Sequence, residues 1–552
     1  MRRPPLSLVA LCTLGACAAT CAAEPVLAPQ PTVAQESGKR TLVVEDTGFP
    51  VRRFDVQGKQ PFTAAQLNAV LGTYLGEQRT IIDLRAAANA LQSAYQKAGL
   101  PLTLVSLPEQ DVVDGVVVLN VLSGKIGKVE VVGNKKLSEK SIRASLPLLV
   151  EGAAPNLGRL DAAVRLANEI PSRSVALNFR PGDDTGEVLA QVRVQEAPLD
   201  RYSFALDNTG NTSSGRDRLA VSYQRANLFD LDHVASLQYV LAPDKLDAVS
   251  IIGLGYRIPF YAQNMILDLV GAYSNVDTNT SLNTGTALSM TGKGGVLGAQ
   301  ASYLLPTLRG AEQRLTLSLY RRDYANQCSG SGAGVCGSAA SGIADVTVQP
   351  LAIGYSAGLS LPGLYATSAL NLSTNLPVGA NSGKSDFTAA AAATHTEASN
   401  HFNVLHVNAQ VQALLPRDWQ FHARGAGQYT RSALVPAEQF GLGGAQSLRG
   451  YEERIASDDK GLSLNLEFLS PAVSYQESRT RALVFFDRGW LWRNEALPGY
   501  TSQPALASLG AGLRSQVGPH WSLNLDLGHV LETAGNDLAH SNRLHFSLNG
   551  SY

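Results

Sequence analysis

Apolar and polar residues alternate with a period of two from about residue 199 to the end of the chain. The alternation is clearest in four stretches: Arg314–Tyr320, Leu462–Phe468, Ser522–Leu527 and Leu544–Tyr552. Each stretch predicts a β-strand with one apolar and one polar face. The polar faces carry Asn465, Glu467, Asp526 and His545. About 350 residues, at about 22 per strand and loop, predict one antiparallel all-β body of about 16 strands.

A soluble β-sandwich would also alternate, so the pattern alone does not identify a transmembrane β-barrel. The chain ends on an aromatic residue, Tyr552, which closes a predicted strand as in a barrel with an aromatic interface girdle. Beyond the N-terminal segment no run of 18 or more apolar residues occurs, so we predict no membrane helix. The mean hydropathy of −0.02 is compatible with spanning strands, which carry only about ten residues of alternating polarity each.

An internal repeat precedes this region. Val51–Leu67 aligns without gaps with Ile126–Ile142, at an offset of 75 residues. Each copy reads as a strand, a glycine turn and a helix capped by Thr63 or Ser138. A second helix and a strand pair then follow, so we predict two α+β modules of order β-α-α-β-β, at 49–125 and 126–197, before a barrel at 198–552.

The first 23 residues have the layout of a secretory signal peptide, with a short basic start, an apolar core and small residues up to Ala23. Two cleavage sites stay open: Leu14–Cys17 resembles a lipobox, and Cys21–Ala23 suits ordinary signal peptidase. Both place the mature protein beyond the inner membrane. Residues 24–48 contain several prolines and no periodicity, so we expect a flexible segment without a long helix.

Charge and cysteine content limit the partners. Lys plus Arg (45) nearly balances Asp plus Glu (46), so no basic field predicts nucleic-acid binding.

Cys328 and Cys336 frame a short Gly- and Ser-rich segment, and in an oxidising compartment we expect a disulfide that stabilises the loop by about 2–3 kcal/mol. Two free thiols in a mobile loop are the alternative.

The sequence contains no convincing enzyme motif. Residues 379–385 resemble a phosphate-binding loop, but one residue is missing between its glycines and no helix is expected to follow. His395, His401 and His406 lie close in sequence without the spacing of a metal site. We therefore expect neither catalysis nor a metal or other cofactor.

The most informative residue is Arg449, within the glycine-rich run 441–453. Its immediate context is Leu448, Gly450 and Tyr451. An ordinary lumenal arginine would be solvated and contribute little to stability. Here the glycines allow a tightly folded loop, and Asp487 within Phe485–Gly489 offers an acidic partner, so we predict a two-bond pair inside the lumen.

These residues resemble the outer-membrane transporters of two-partner secretion, the haemolysin secretion and activation family, which is related to barrel-assembly proteins. Leu448, Arg449, Gly450 and Tyr451 match the family's V-R-G-Y/F tip of the long sixth extracellular loop, which would obstruct the lumen, with Leu for Val. Phe485, Asp487 and Gly489 match its F-x-D-x-G strand motif, whose acid holds that arginine. Asp207–Gly210 through Asn227–Asp230 resembles its first barrel hairpin, and the repeat resembles two polypeptide-transport-associated (POTRA) modules.

The resemblance implies a monomer in the lipid of the outer membrane, with its modules in the periplasm. The modules would capture an unfolded haemolysin- or adhesin-like exoprotein, and the barrel would export it without ATP. The alternative is an outer-membrane assembly factor, although such relatives usually carry three or five modules. The sequence identifies neither the exoprotein nor the resting state of the pore.

Overall fold

The computed structural model of the chain describes residues 48–552, apart from 59–61, 101, 183, 185–186, 211–214, 247–249, 276–278, 284–286, 292, 326–343, 393, 500–504 and 536. The predicted signal peptide, the segment 24–47 and the predicted Cys328–Cys336 disulfide lie outside the described residues. The described chain forms two compact units: Asn168–Arg173 with Ala197–Tyr552, and the remaining residues up to Glu196.

The first module contains a three-stranded sheet with two helices. Its elements are β1 (Phe49–Val51), β2 (Arg53–Gln57), α1 (Ala64–Leu71), β3 (Gly76–Arg79), α2 (Ile81–Lys97), β4 (Thr103–Ser106) and β5 (Val116–Ser123). The sheet has the order β2-β5-β4, with β2 parallel and β4 antiparallel to β5. Thr63 caps α1 as predicted, and Thr80 caps α2 in the same way. Leu91 and Tyr95 of α2 are buried against Leu119 of the sheet.

The small pair of β1 and β3 was not predicted, because Gly76, Glu77 and Gln78 are exposed and β3 shows no alternating pattern. The second module comprises β6 (Lys125–Val132), α3 (Glu139–Ser145), α4 (Leu157–Asn168), β7 (Arg173–Pro181) and β8 (Glu187–Glu196). Its sheet has the order β6-β8-β7, and Ser138 caps α3. The second module therefore has the predicted order of strand, two helices and two strands, and the first module has the same order with β1 and β3 added.

The remainder of the chain is almost entirely β-structure. Its strands are β9 (Asp200–Asp207), β10 (Arg218–Leu228), β11 (His233–Leu241), β12 (Ser250–Phe260), β13 (Met265–Ser274), β14 (Asn279–Asn283), β15 (Ala287–Thr291), β16 (Gly294–Leu308), β17 (Ala311–Tyr324), β18 (Val346–Val348), β19 (Pro350–Leu361), β20 (Leu364–Asn375), β21 (Asn403–Leu414), β22 (Gln420–Thr430), β23 (Phe440–Leu442), β24 (Ala456–Asp458), β25 (Lys460–Leu469), β26 (Val473–Tyr475), β27 (Ser478–Trp492), β28 (Leu506–Val517), β29 (Trp521–Val530) and β30 (Asn542–Ser551).

These strands close into an antiparallel barrel. The pairs β14–β15 and β23–β24 are not part of the wall, and β18 with β19 and β25 with β26 each make one wall strand, which gives 16 strands over the described residues. β30 closes the barrel against β9, with Ser547–Ser551 opposite Ser203–Asp207. Beyond this ladder the Asn208 side chain bonds the carbonyl oxygen of Leu544 at 2.7 Å and the amide of Phe546 at 3.0 Å. The predicted 16-stranded barrel is confirmed.

The two faces of the wall differ as the alternation predicted. Outward residues such as Leu254, Leu317 and Val484 are more than half exposed in the isolated chain, which suits contact with lipid. The inward set is polar and buried: Ser236, Asp268, Ser302, Asn465, Asp526 and His545. Among the described residues, no helix is both long and apolar enough to cross a membrane.

One helix lies in a connection of the barrel. α5 (Lys384–Ala391) follows residues 379–383, so the expectation that no helix follows this phosphate-loop-like segment is wrong. Three residues of α5, Phe387, Ala390 and Ala391, are buried in an apolar cluster with residues from other parts of the chain. Tertiary packing therefore stabilises a helix whose own sequence lacks a strong apolar stripe.

Candidate functional site

The connection between β22 and β25, residues 431–459, folds back into the barrel and is called the lumenal loop. Its two arms pair through β23 and β24. At the tip, the Gly443 amide donates to the Ser447 hydroxyl at 2.8 Å, and the Ala445 amide donates to a Glu453 carboxylate oxygen at 2.8 Å. The loop is therefore extensively bonded to itself.

Arg449 at the tip is paired with Asp487 on β27. Its Nε donates to Oδ2 at 2.8 Å and its Nη2 to Oδ1 at 2.7 Å, two parallel bonds that hold both planar groups in one orientation. The backbone amide of Arg449 adds a third bond to Oδ2 at 3.1 Å. The side chains are 2% and 0% exposed, so water does not compensate either charge.

Two further carboxylates approach the same guanidinium. Nη1 of Arg449 lies 2.5 Å from Glu467 Oε1 and 3.5 Å from Asp526 Oδ1. Arg514 also contacts both carboxylates, Asp526 at 2.8 Å and Glu467 at 3.4 Å. The Phe485 ring lies 3.6 Å from the Arg449 guanidinium carbon and adds a cation–π contact. Three carboxylates and two guanidiniums therefore form one network on the inner wall.

Asn465 of β25 joins this network to the loop. Its Nδ2 donates to Asp487 Oδ1 at 2.8 Å and to the carbonyl oxygen of Ser447. Its Oδ1 accepts from Nε of Arg424 at 3.3 Å, and Arg424 also donates to the carbonyl oxygen of Gln446 at 2.9 Å. The wall thus binds the backbone of the loop as well as its charged side chain.

The residues beside Arg449 bind other strands. The Gly450 amide donates to His545 Nε2 at 2.9 Å, and the Tyr451 hydroxyl lies 2.9 Å from the carbonyl oxygen of Ala507 and 2.6 Å from that of Glu532. Leu448 and Tyr451 are fully buried in an apolar cluster with Leu442, Leu491, Leu506, Val530 and Ala534. The loop tip is consequently fixed by packing on both sides of its charge.

Two wall glycines make room for the tip. A Cβ on Gly489 would lie 3.0 Å from a methyl group of Leu448, and one on Gly528 would lie 2.7 Å from the carbonyl carbon of Arg449. Gly450 itself has φ +98°, a backbone conformation that is strained for any residue with a Cβ atom. Leucine side chains packed on Gly489, the loop backbone close to Gly528 and the positive φ of Gly450 explain why glycine occurs at these three positions.

The structure brings all seven motif residues together: Leu448, Arg449, Gly450, Tyr451, Phe485, Asp487 and Gly489. The alternating pattern places Asn465, Glu467, Asp526 and His545 on polar strand faces but does not identify them as partners of the tip. Strand alternation was the available signal, because a polar residue on an inward face of these C-terminal strands must bind water, the loop or another wall residue.

The site is built for holding a segment in place. Among the described residues, no group of three or more His, Cys, Asp or Glu side chains is arranged to bind a metal ion. His395 instead pairs with Asp459 at 3.0 Å, and His406 bonds Gln428 at 3.0 Å. The predicted disulfide between Cys328 and Cys336 lies outside the described residues.

Comparison with known proteins gives two family matches. Residues 186–515 match the model described as haemolysin secretion/activation protein ShlB/FhaC/HecB. Residues 49–124 match the model described as POTRA domain, ShlB-type.

Individual proteins are similar over nearly the whole chain. The heme/hemopexin transporter protein HuxB of Haemophilus influenzae is 24% identical over 513 residues, which cover 88% of this chain and 84% of HuxB. The structure of CdiB from Escherichia coli has a TM-score of 0.76 at 20% identity, covering 94% of this chain and 93% of that chain. CdiB from Acinetobacter baumannii has a TM-score of 0.70 at 18% identity, with coverage of 92% and 91%. At these identities the two structures show a shared fold.

Proposed function

Since the chain belongs to the haemolysin secretion/activation family of outer-membrane transporters, we propose that its POTRA modules capture an unfolded exoprotein in the periplasm and that its barrel exports this partner without ATP. The chain is a two-partner secretion transporter of the outer membrane, with its modules in the periplasm. Capture by the modules, the route through the lumen and the energy source are the proposed steps.

One observation carries the proposal: the polar barrel interior contains a long loop of the same chain, pinned by buried ion pairs. A 16-stranded barrel is wide enough to enclose an aqueous channel. The inward face of the wall is polar, as at Asp268, Asp526 and His545. The backbone N–H and C=O groups of an unfolded chain would form hydrogen bonds in this lumen, because water and polar side chains replace the partners that secondary structure would provide.

The edge strand β7 is suited to capture. It lies at one edge of the order β6-β8-β7 and extends over nine residues. Val175 is buried, whereas Ser174, Ala176 and Asn178 are exposed, so the exposed face of the strand is uncharged up to Arg180. An extended exoprotein segment would add to this edge through main-chain hydrogen bonds, which require no fixed sequence in the partner.

Export without ATP needs another source of free energy. Folding of the exoprotein outside the cell supplies one, because folded structure on the outer side prevents the chain from sliding back. β-Strand addition relies on main-chain hydrogen bonds and does not require a fixed sequence, so it suits a partner that stays unfolded until it leaves the pore.

Co-expression with a candidate exoprotein tests the proposal. The intact chain should release the exoprotein at the cell surface, and deletion of 49–197 should abolish release while the barrel still inserts into the outer membrane. Surface release and heat-modified mobility of the barrel are measured together. Undiminished release by the deleted chain would contradict capture by the modules.

Two single proline variants test the edge itself. The amides of Ala176 and Leu177 point to opposite sides of β7, so only one is used in pairing with β8. Proline at that position should unfold the module, whereas proline at the other should leave it folded and weaken capture. Protease resistance of the module and exoprotein release separate these cases. Normal release by both variants would refute the edge as the capture site.

A further inference from the structure

The lumenal loop has a second point of attachment, which neither sequence motif includes. This attachment is at Glu438, in the first arm of the loop. Nη1 of Arg322 donates to both of its carboxylate oxygens, each at 2.9 Å. The Tyr324 hydroxyl donates to Oε1 of the same carboxylate at 2.7 Å. We propose that this Glu438 anchor holds the loop across the pore and that its release, with Arg449 still bound, opens the channel.

The two anchors lie on well-separated strands. Arg322 and Tyr324 belong to β17, the seventh strand of the wall, whereas Asp487 belongs to β27, the thirteenth. Leu315, Leu317 and Leu319 of β17 face outward, so Arg322 and Tyr324 face the lumen. Six steps around a 16-stranded wall separate the anchors, so the loop between them crosses the lumen.

The two ends of the loop are tied together at its base. Nε2 of Gln428, on β22, donates to the carbonyl oxygens of Glu438 and Asp459, both at 3.0 Å. Oε1 of Gln428 is 3.0 Å from His406 Nε2. Arg454 donates from the returning arm to the carbonyl oxygen of Gln439 at 3.1 Å. The arms are therefore cross-linked, and we expect the loop to move as one body.

The anchors are unequal. Arg449 is 2% exposed and has three carboxylates within 3.5 Å, whereas Glu438 has one guanidinium and one hydroxyl. The side chains of Arg322 and Glu438 are 27% and 10% exposed, against 2% and 0% for Arg449 and Asp487. Less free energy is needed to separate Glu438 from Arg322 than to separate Arg449 from Asp487, because the charges of the first pair are more hydrated. The loop should therefore detach there and turn about Arg449.

This inference rests on the proposed function, in which the barrel is the conduit, but its test needs no exoprotein. Full-length wild type and Glu438→Gln are inserted into planar lipid bilayers, and the ratio of open to closed time is measured. We expect an increase on the order of tenfold, the effect of losing one charge-assisted hydrogen bond. Tyr324→Phe should give a smaller increase in the same direction.

Exchange of the charges in Arg322→Glu with Glu438→Arg should return the ratio toward wild type. Arg321→Gln, which removes a pair with Asp323 whose side chains are each 49% exposed, should leave it unchanged. Equal open times in wild type, Glu438→Gln and Tyr324→Phe, with all barrels still heat-modifiable, would overturn the anchor. Tyr324→Phe also serves as the test if Glu438→Gln fails to form a barrel.

The same variants distinguish the two proposals. If the wild-type chain conducts and Glu438→Gln raises its open time, but no candidate exoprotein is released, the secretion route is contradicted and the anchor stands. If the exoprotein is released and open times do not change, the anchor is contradicted and the secretion route stands.

Discussion

At the scale of single residues, Arg449 illustrates how burial determines what a charge contributes. Its guanidinium is held by Asp487 and approached by Glu467 and Asp526 with almost no exposure to water. The net benefit of forming such a network is small because burial removes hydration. Loss of one member is costly, since the remaining charges cannot regain water while the barrel stays folded.

Arg449→Ala should therefore destabilise the folded chain by about 3–5 kcal/mol, because Asp487 would remain buried without its cation. The temperature at which the barrel loses its compact mobility on a gel measures this effect. Arg321→Ala, which removes an exposed pair, is the control and should change stability by about 0–1 kcal/mol. Equal unfolding temperatures for both variants would show that the Arg449–Asp487 pair contributes no more to stability than the exposed Arg321–Asp323 pair.

Glu196 in the second module gives a pH-dependent prediction. Desolvation alone would raise its pKa, but hydrogen bonds from the amides of Leu137, Lys135 and Lys136 lower the pKa below its ordinary value of 4.5. A lowered pKa in the folded state means that the stabilisation is complete above pH 4.5 and is lost as the pH falls through the folded value.

Amide hydrogen exchange at residues 135–137 checks this expectation. After correction for the intrinsic pH dependence of exchange, protection should be constant above pH 4.5 and should fall at lower pH. In Glu196→Gln the neutral side chain should give weaker and pH-independent protection. A protection profile that is the same in wild type and variant would contradict the role of the carboxylate.

At the scale of elements, close contact between the loop tip and β29 should depend on Gly528. A methyl group there would lie 2.7 Å from the carbonyl carbon of Arg449, so Gly528→Ala should displace the tip at a cost of about 1–3 kcal/mol. Heat-modified mobility reports the loss. Gly358→Ala on β19 is the control, since its nearest neighbour would be a methyl group of Thr367 at 3.8 Å. A control that is destabilised as strongly would argue against a specific contact.

Sequence patterns predicted the order of elements well because amphipathic periodicity and end caps are local. Thr63 and Ser138 marked the helix starts of both modules, and alternation marked the barrel strands. α5 was not predicted because its stability comes from burying Phe387 in a cluster assembled from distant residues. The β1–β3 pair was missed because β3 has no apolar face.

The candidate site was predictable only in part, because it too depends on contacts between distant parts of the chain. Two motifs suggested that Arg449 and Asp487 meet, and the structure places them in contact. Convergence of Glu467, Asp526 and His545 depends on the register of neighbouring strands and on how deep the loop descends. Neither quantity follows from the alternation of a single strand.

At the scale of the whole molecule, the lumenal loop determines what the barrel admits. Replacing 441–453 by a two-glycine linker should leave the 16 strands intact and increase the conductance of the channel, because a barrel of this size encloses an aqueous lumen once nothing fills it. Single-channel recording measures the change. Removal of the β14–β15 hairpin, which is not part of the wall, is the control. Unchanged conductance after shortening the loop would show that it does not obstruct the pore.

The seam between β9 and β30 has a consequence for biogenesis. It joins residues 203–207 to residues 547–551, so the wall cannot close before the last strand is available. Contacts between such distant parts of a chain form slowly, because the entropy of closing a long loop opposes them. Since the Gly450 amide binds His545 on that last strand, the loop tip completes its contacts with the wall only in the closing step. The step that closes the barrel is thus also the step that makes the last contact of its lumenal loop.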